Sequence, residues 1–213
     1  MKYPVNRLFA WAGAAMIAVA VTLVWRHELG SPRVSRMTLE TAGAAGPTIG
    51  GSFTLVDHNG KTVTAADFRG RFMLVYFGYT YCPDVCPTTL TTMADAIDIL
   101  DGDGDGDGDG EAVVPVFITV DPERDTPEHL KMYVNYFHPR LVGLTGTTQS
   151  VAAAAKAYRV YYAKARQDGA SGDDYLMDHL SFVFLMGPDG AFRAHFENGI
   201  GPDAMAKRIR EYL

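Results

Sequence analysis

Hydrophobic and polar positions change rhythm several times along this chain, and each change predicts an element. An uncharged stretch runs from Leu8 to Trp25. Further on, Ser52–Val56 and Lys61–Val63 alternate on either side of "DHNG", the pattern of a β-hairpin. "RFMLVYFGY" is almost continuously apolar, as a central strand buried on both faces would be. A helix is expected next, with Leu90, Met93, Ile97 and Leu100 on one face, then a second buried strand, "VVPVFITV". "TPEHLKMYVNYF" reads as a helix capped by Thr126, with Pro127 in its first turn and Leu130, Tyr133, Val134 and Phe137 inward. A short strand at Leu141–Leu144, an Ala-rich helix at Thr148–Ala157 and an edge strand in "RVYYAKA" follow. "SFVFLM", the turn "GPDG" and "AFRAHFE" predict a hairpin, and "DAMAKRIREYL" a closing amphipathic helix. The order β-α-β-α, β-hairpin, α predicts an α/β, thioredoxin-like fold with an N-terminal β-hairpin extension.

The first apolar run sets the expected compartment. As a helix, Leu8–Trp25 would span roughly 27 Å, close to the hydrocarbon thickness of a bilayer. Lys2 and Arg7 precede it, so the positive-inside rule puts residues 1–7 in the cytoplasm and the rest across the membrane. Ala18-Val19-Ala20 resembles a cleavage site, but apolar residues continue to Trp25, which favours an uncleaved anchor over residues 8–25. Residues 26–50 read as a tether, rich in Gly, Ala, Ser and Pro from residue 31, and residues 51–213 as one domain. The expected location is a bacterial inner membrane, with the domain in the periplasm, where disulfides can form.

Charge adds little. Of the formal net charge of −6, five negatives belong to "DGDGDGDGDG", residues 101–110, so the remainder is near neutral and offers no nucleic-acid surface. That tract has Asp101, Asp103, Asp105 and Gly106 at calcium-loop spacing, but Ala112 stands where the closing carboxylate belongs; a flexible solvated loop is expected.

The two cysteines carry the chemistry. Cys82 and Cys86 lie in "GYTYCPDVCPTTL", where the central strand gives way to a helix, and each precedes a proline. Extended or turn-like backbone is expected at both, with Cys86 near the N-cap and Pro87 as the first helical residue. The positive end of a helix lowers a thiol pKa, which serves either a redox dithiol or a metal-binding pair. A structural disulfide is the weaker reading, because so small a loop constrains little of the unfolded chain. Among the six histidines, His179 should lie beside the Cys loop, since "SFVFLM" is expected antiparallel to the Cys-bearing strand. Asp178 is a candidate to orient it, and His195 is the alternative ligand. His27, His58, His129 and His138 are expected at the surface, and Met177 in the packing. Two thiolates and an imidazole form a soft, low-coordinate set that suits copper better than structural zinc.

"FGYTYCPDVCPTTL", "VFITVDPERDTPEHL", "VGLTGT" and "DHLSFVFLMGPDG" together resemble the signature blocks of the Sco/SenC copper proteins, from about Phe72 to the C-terminal helix. The resemblance implies a thioredoxin-like fold and one copper, Cu(I) or Cu(II), held by Cys82, Cys86 and His179. It also implies a role in assembling the binuclear copper centre of cytochrome c oxidase subunit II, by copper delivery or by reduction of the target's cysteines. The first role makes the chain a chaperone rather than an enzyme. The second makes Cys82 and Cys86 a redox-active pair served by a periplasmic thiol reductant. A thioredoxin-fold peroxidase is a more distant alternative. The chain departs from the family pattern in having Tyr81 where many members have histidine, and in its Asp-Gly tract. "DPERDTP" reads as the end of a strand and the cap of a helix, with no metal ligand assigned in it.

Overall fold

The computed structural model describes residues 48–102, 109–165 and 175–213. The predicted anchor at 8–25, nearly all of the tether and the middle of the Asp-Gly tract lie outside these. Among the described residues no helix is long and apolar enough to cross a membrane.

The predicted β-hairpin is β1 (Thr54–Asp57) and β2 (Thr62–Thr64). The Asp57 carboxylate accepts hydrogen bonds from the Asn59 and Lys61 amides, and Gly60 takes the positive φ (83°) that closes the turn. The central strand β3 (Phe72–Gly78) is buried at every residue and pairs in parallel with β4 (Val113–Thr119), equally buried. β4 in turn pairs in parallel with β5 (Val142–Thr145). That pairing starts only at Val116, so Pro115, which has no N–H, falls beyond the end of β5, where a proline is tolerated.

Helix α1 (Val85–Gly102) follows β3 and buries Leu90, Met93, Ile97 and Leu100 completely. Each such side chain contributes about 1.5–3 kcal/mol relative to exposure. Helix α2 (Pro127–Phe137) opens as predicted, with the Thr126 hydroxyl accepting from the His129 amide; Leu130 and Val134 are fully buried, and Tyr133 and Phe137 partly so. Helix α3 (Thr148–Ala157) is closed off by Arg159, whose positive φ (58°) lets the Val160 amide reach the Ala155 carbonyl.

Beyond α3 the structure departs from expectation. β6 (Tyr162–Ala165) is a strand, but not an edge of the main sheet. It pairs with β7 (Leu176–His179), which the pattern did not predict, in a separate two-stranded ribbon. The hairpin of β8 (Val183–Met186) and β9 (Phe192–Phe196) then rejoins the main sheet, β8 lying antiparallel to β3, and α4 (Pro202–Arg210) packs against α1. The seven-stranded order is β2-β1-β5-β4-β3-β8-β9. Three parallel strands, an antiparallel hairpin and a final helix make the α/β core expected of a thioredoxin-like domain, with β1–β2 added at its edge.

Candidate metal centre

At the C-terminal end of β3 the chain leaves the sheet, crosses residues 79–84 and enters α1. Cys86 is not before the helix, as its proline suggested, but within its first turn, because the helix starts at Val85. Pro87 then falls where a first-turn N–H has no partner inside the helix, so its missing donor costs nothing. The first orphan amides find acceptors: Thr88 N–H bonds the Asp84 carbonyl, and Cys86 N–H bonds Cys82 Sγ at 3.3 Å. Cys82 thus acts as a sulfur cap on the helix that carries its partner.

The thiols are free, Cys82 half-buried and Cys86 buried. Cys86 Sγ lies 3.4 Å from His179 Nε2, and the ligand atoms of Cys82, Cys86 and His179 all lie within 4.8 Å of one another. Metal–sulfur and metal–nitrogen bonds of about 2.3 and 2.0 Å would set trigonal ligand atoms about 3.8 Å apart, so the set closes on an ion with small shifts. Among the described residues no fourth His, Cys, Asp or Glu joins it.

The surroundings bias each group. Cys82 is held well below the usual thiol range by the hydrogen bond from Cys86, with burial opposing. Cys86 is pushed upward by donating to Cys82 and by burial. The two shifts run in opposite directions, so Cys82 is the more readily ionised of the pair. Tyr76 donates its hydroxyl proton to Cys86 Sγ at 3.5 Å and stays neutral, since burial drives its pKa far up. Gly78 is required by packing: a Cβ there would stand 2.9 Å from Cys86 Sγ and 2.9 Å from the Phe117 ring.

His179 ends β7, with three residues between it and β8, so it reaches the Cys loop from the ribbon just ahead of the main-sheet strand whose approach the sequence predicts. Its Nδ1 pairs with the Leu180 carbonyl at 3.2 Å. Nδ1 must carry the proton to do so, which leaves the Nε2 lone pair facing the sulfurs. Leu180 thus takes the orienting role expected of Asp178, whose side chain is exposed because neighbouring residues on a strand face opposite ways. The imidazole sits edge-on to Tyr79 (5.8 Å, 90°) and Tyr76 (6.1 Å, 68°).

The other histidines lie elsewhere. His195 is exposed on β9, between the rings of Phe182 and Phe192. His58 Nδ1 accepts from the Gly143 amide, and His129 packs against Tyr81. His27 is outside the described residues, and Met177 is buried as expected. His138, expected at the surface, is buried, and groups with Asp98 and Asp101 in a second cluster of ligand atoms. Its Nδ1 lone pair already accepts the Arg140 amide, so Nε2 holds the proton it shares with Asp98, and Asp101 pairs with Arg140. That geometry is spent on structure.

Sequence reasoning also missed the work of "DPERDTP". Asp125, fully buried, accepts from the Thr80 amide (3.1 Å) and the Thr80 and Thr119 hydroxyls, while Asp121 pairs with Arg124 and the Tyr175 hydroxyl. Three acids and an arginine in a nominal cap were the available signal.

A thioredoxin-like core with two cysteines and a histidine at one rim defines a class of thiol-bearing metal or redox domains, and comparison narrows it. The SCO1/SenC family model matches residues 41–213, and the chain belongs to that family. It is 39% identical over 201 residues to Protein sco1 of Schizosaccharomyces pombe, spanning 93% of this chain and 74% of that protein. It is 44% identical to the human "Protein SCO1 homolog, mitochondrial" over 78% of this chain, but spans only 54% of that longer protein. The solved structure of Bradyrhizobium japonicum ScoI with copper bound is 41% identical and superposes with a TM-score of 0.69, over 78% of this chain and 99% of that one.

Proposed function

We propose that this protein is a membrane-anchored copper chaperone. It binds one copper ion through Cys82, Cys86 and His179 and passes it to the binuclear copper centre of cytochrome c oxidase subunit II. The convergence of two sulfurs and an unprotonated Nε2 within 4.8 Å carries the reading. Soft thiolates with one imidazole favour copper, and the similar B. japonicum protein has been solved with copper bound.

The burial gradient orders the transfer. Cys86 is buried and held by Tyr76, whereas Cys82 and His179 are half-open. An incoming thiolate displaces Cys82 or His179 first and Cys86 last. Residues 8–25 anchor the domain on the periplasmic side of a bacterial inner membrane, where a thiol reductant keeps both cysteines reduced. Oxidation to a Cys82–Cys86 disulfide removes both sulfur ligands.

A second reading rests on the asymmetry of the thiols. The half-buried Cys82 thiolate suits attack on a partner disulfide, releasing one partner thiolate. Cys86, on losing its proton, then attacks Cys82, releases the second, and leaves this chain oxidised. Anaerobic Cu(I) titration of the full chain in detergent, against a competing chelator, separates the readings. One-to-one binding weakened at least about a hundredfold by His179→Ala supports the chaperone. Binding indifferent to that change overturns the ligand set and leaves the oxidoreductase.

A further inference from the structure

The two halves of the site belong to different sheets. Cys82 and Cys86 extend from β3 of the main sheet, whereas His179 is on the β6–β7 ribbon, whose strands pair only with each other. Backbone pairing therefore does not fix the distance between His179 and the sulfurs. Side chains must, and one loop reaches both halves: residues 120–126, between β4 and α2.

Arg124 is at the centre of that loop. Its guanidinium carbon lies 3.7 Å from the centroid of the Tyr175 ring, 4.6 Å from Tyr81 and 5.9 Å from Tyr79. Tyr175 leads directly into the strand ending at His179; Tyr79 touches the His179 ring, and Tyr81 precedes Cys82. The same guanidinium donates to the Tyr175 carbonyl (3.0 Å) and to Asp121 (2.5 Å), and Asp121 accepts from the Tyr175 hydroxyl (2.8 Å). Next to it, Asp125 ties down Thr80. The ion pair from the same loop to the ribbon, Lys164 with Glu123, is exposed and weak in water.

We propose that Arg124 is a positioning residue for the metal site. By clasping Tyr175 against Tyr79 and Tyr81, it holds His179 Nε2 at ligand distance from the two sulfurs. This rests on the reading of Cys82, Cys86 and His179 as copper ligands. Only arginine fits the role, because a planar cation can lie against several rings and bond a carbonyl and a carboxylate at once, whereas lysine is a single flexible point charge.

The test uses the full chain in detergent, with Arg124→Gln and Arg124→Lys made alone and in the His179→Ala background. Chelator competition gives Cu(I) affinity, electron paramagnetic resonance of the Cu(II) complex reports nitrogen coordination, and thermal melts report the fold. Arg124→Gln should weaken Cu(I) binding about ten- to a hundredfold and diminish the nitrogen signature, with Arg124→Lys failing to restore either. In the His179→Ala background it should cost nothing further. Tyr175→Phe, which deletes one hydroxyl, gives a milder loss of the same kind should Arg124→Gln not fold. Leu130→Ala, a core truncation, should lower the melting temperature and leave the copper signature intact. Full affinity in Arg124→Gln, an equal loss in the His179→Ala background, or the same loss in Leu130→Ala would overturn the proposal. A parent chain that binds no copper instead overturns the functional reading beneath it.

Discussion

Cys86 sits on the first turn of an 18-residue helix whose apolar face is buried against the sheet, while His179 ends a four-residue strand in a ribbon of its own. The first is held by the core: its sulfur is fully buried, takes a hydrogen bond from Tyr76 and lies against Gly78, where a methyl would not fit. The second is held by a few rings, one backbone carbonyl and the Arg124 clasp. On the proposed reading of these residues as copper ligands, the centre is assembled from one half fixed by the core and another held by fewer contacts. The same contrast makes mutations on the two sides fail differently.

The largest effect belongs to the rigid side. Cys86→Ser and Cys82→Ser should each weaken Cu(I) binding at least about a thousandfold, about 4 kcal/mol, since a hydroxyl is a poor ligand for soft copper. Their stabilities should diverge. Cys86→Ser buries a hydroxyl where a fully buried sulfur had packed and costs about 1–2 kcal/mol, whereas half-buried Cys82→Ser costs little. Equal melting temperatures for the two would mean that burial does not set the two sulfurs apart.

Next comes Gly78→Ala. One methyl would collide with Cys86 Sγ, Phe117 and Tyr76, all within 3.0 Å, and the packed core has no room to yield. About 1–3 kcal/mol of stability should be lost, with copper binding weakened through displacement of the sulfur. A melting curve and a Cu(I) competition on the same sample would check both; an unchanged sulfur ligand would show the rigid half to be softer than its packing implies.

Asp125→Asn tests the bracket between the halves. Burial raises the Asp125 pKa above its ordinary value, against three hydrogen bonds from Thr80 and Thr119 that pull it down. The folded chain therefore keeps a proton at a pH where the unfolded chain has lost it. Stability from this group is fullest below the unfolded pKa of about 3.9, and falls as pH rises through the folded one. Asparagine should cost about 1–2 kcal/mol at neutral pH, and the gap to the parent should be wider at pH 4 than at pH 7. Denaturant melts across that range decide the sign; a gap that widens with pH would mean the ionised carboxylate is the favoured form.

The rigid half was far more legible in the sequence than the adjustable one. Continuous apolar runs define β3 and β4, a 3.6-residue period defines α1, and a cysteine pair at their junction can lie in few places. Cys86 lies two positions further into the helix than its proline suggests, because proline restrains its predecessor in most contexts, but not where the helix begins two residues before that proline. The ribbon was legible only in part: "RVYYAKA" announces β6, but β7 is short, partly exposed and paired with it across a long connection, so neither alternation nor turn chemistry announces β7 or the pairing. His179 was found because "SFVFLM" does return beside β3, although the histidine arrives on a different strand. Arg124 and Asp125 left no periodic trace at all, since their partners are scattered over Thr80, Thr119 and Tyr175.

The smallest effect separates orientation by backbone from orientation by side chain. Asp178 and His179 are adjacent, and a carboxylate beside a candidate metal-binding imidazole invites the assignment of a supporting bond. Strand geometry forbids it, because consecutive side chains in β7 face opposite ways and the Leu180 carbonyl already holds Nδ1. Asp178→Ala should therefore leave Cu(I) affinity within about twofold of the parent and stability within about 0.5 kcal/mol, as for exposed surface sites generally. The Leu180 carbonyl cannot be removed by substituting a side chain, so the same indifference should extend to Leu180→Ala in the Cu(II) nitrogen signature. Loss of that signature in Asp178→Ala would mean that the ribbon turns over when copper binds. The adjustable half would then be a moving part, not merely a loosely held one.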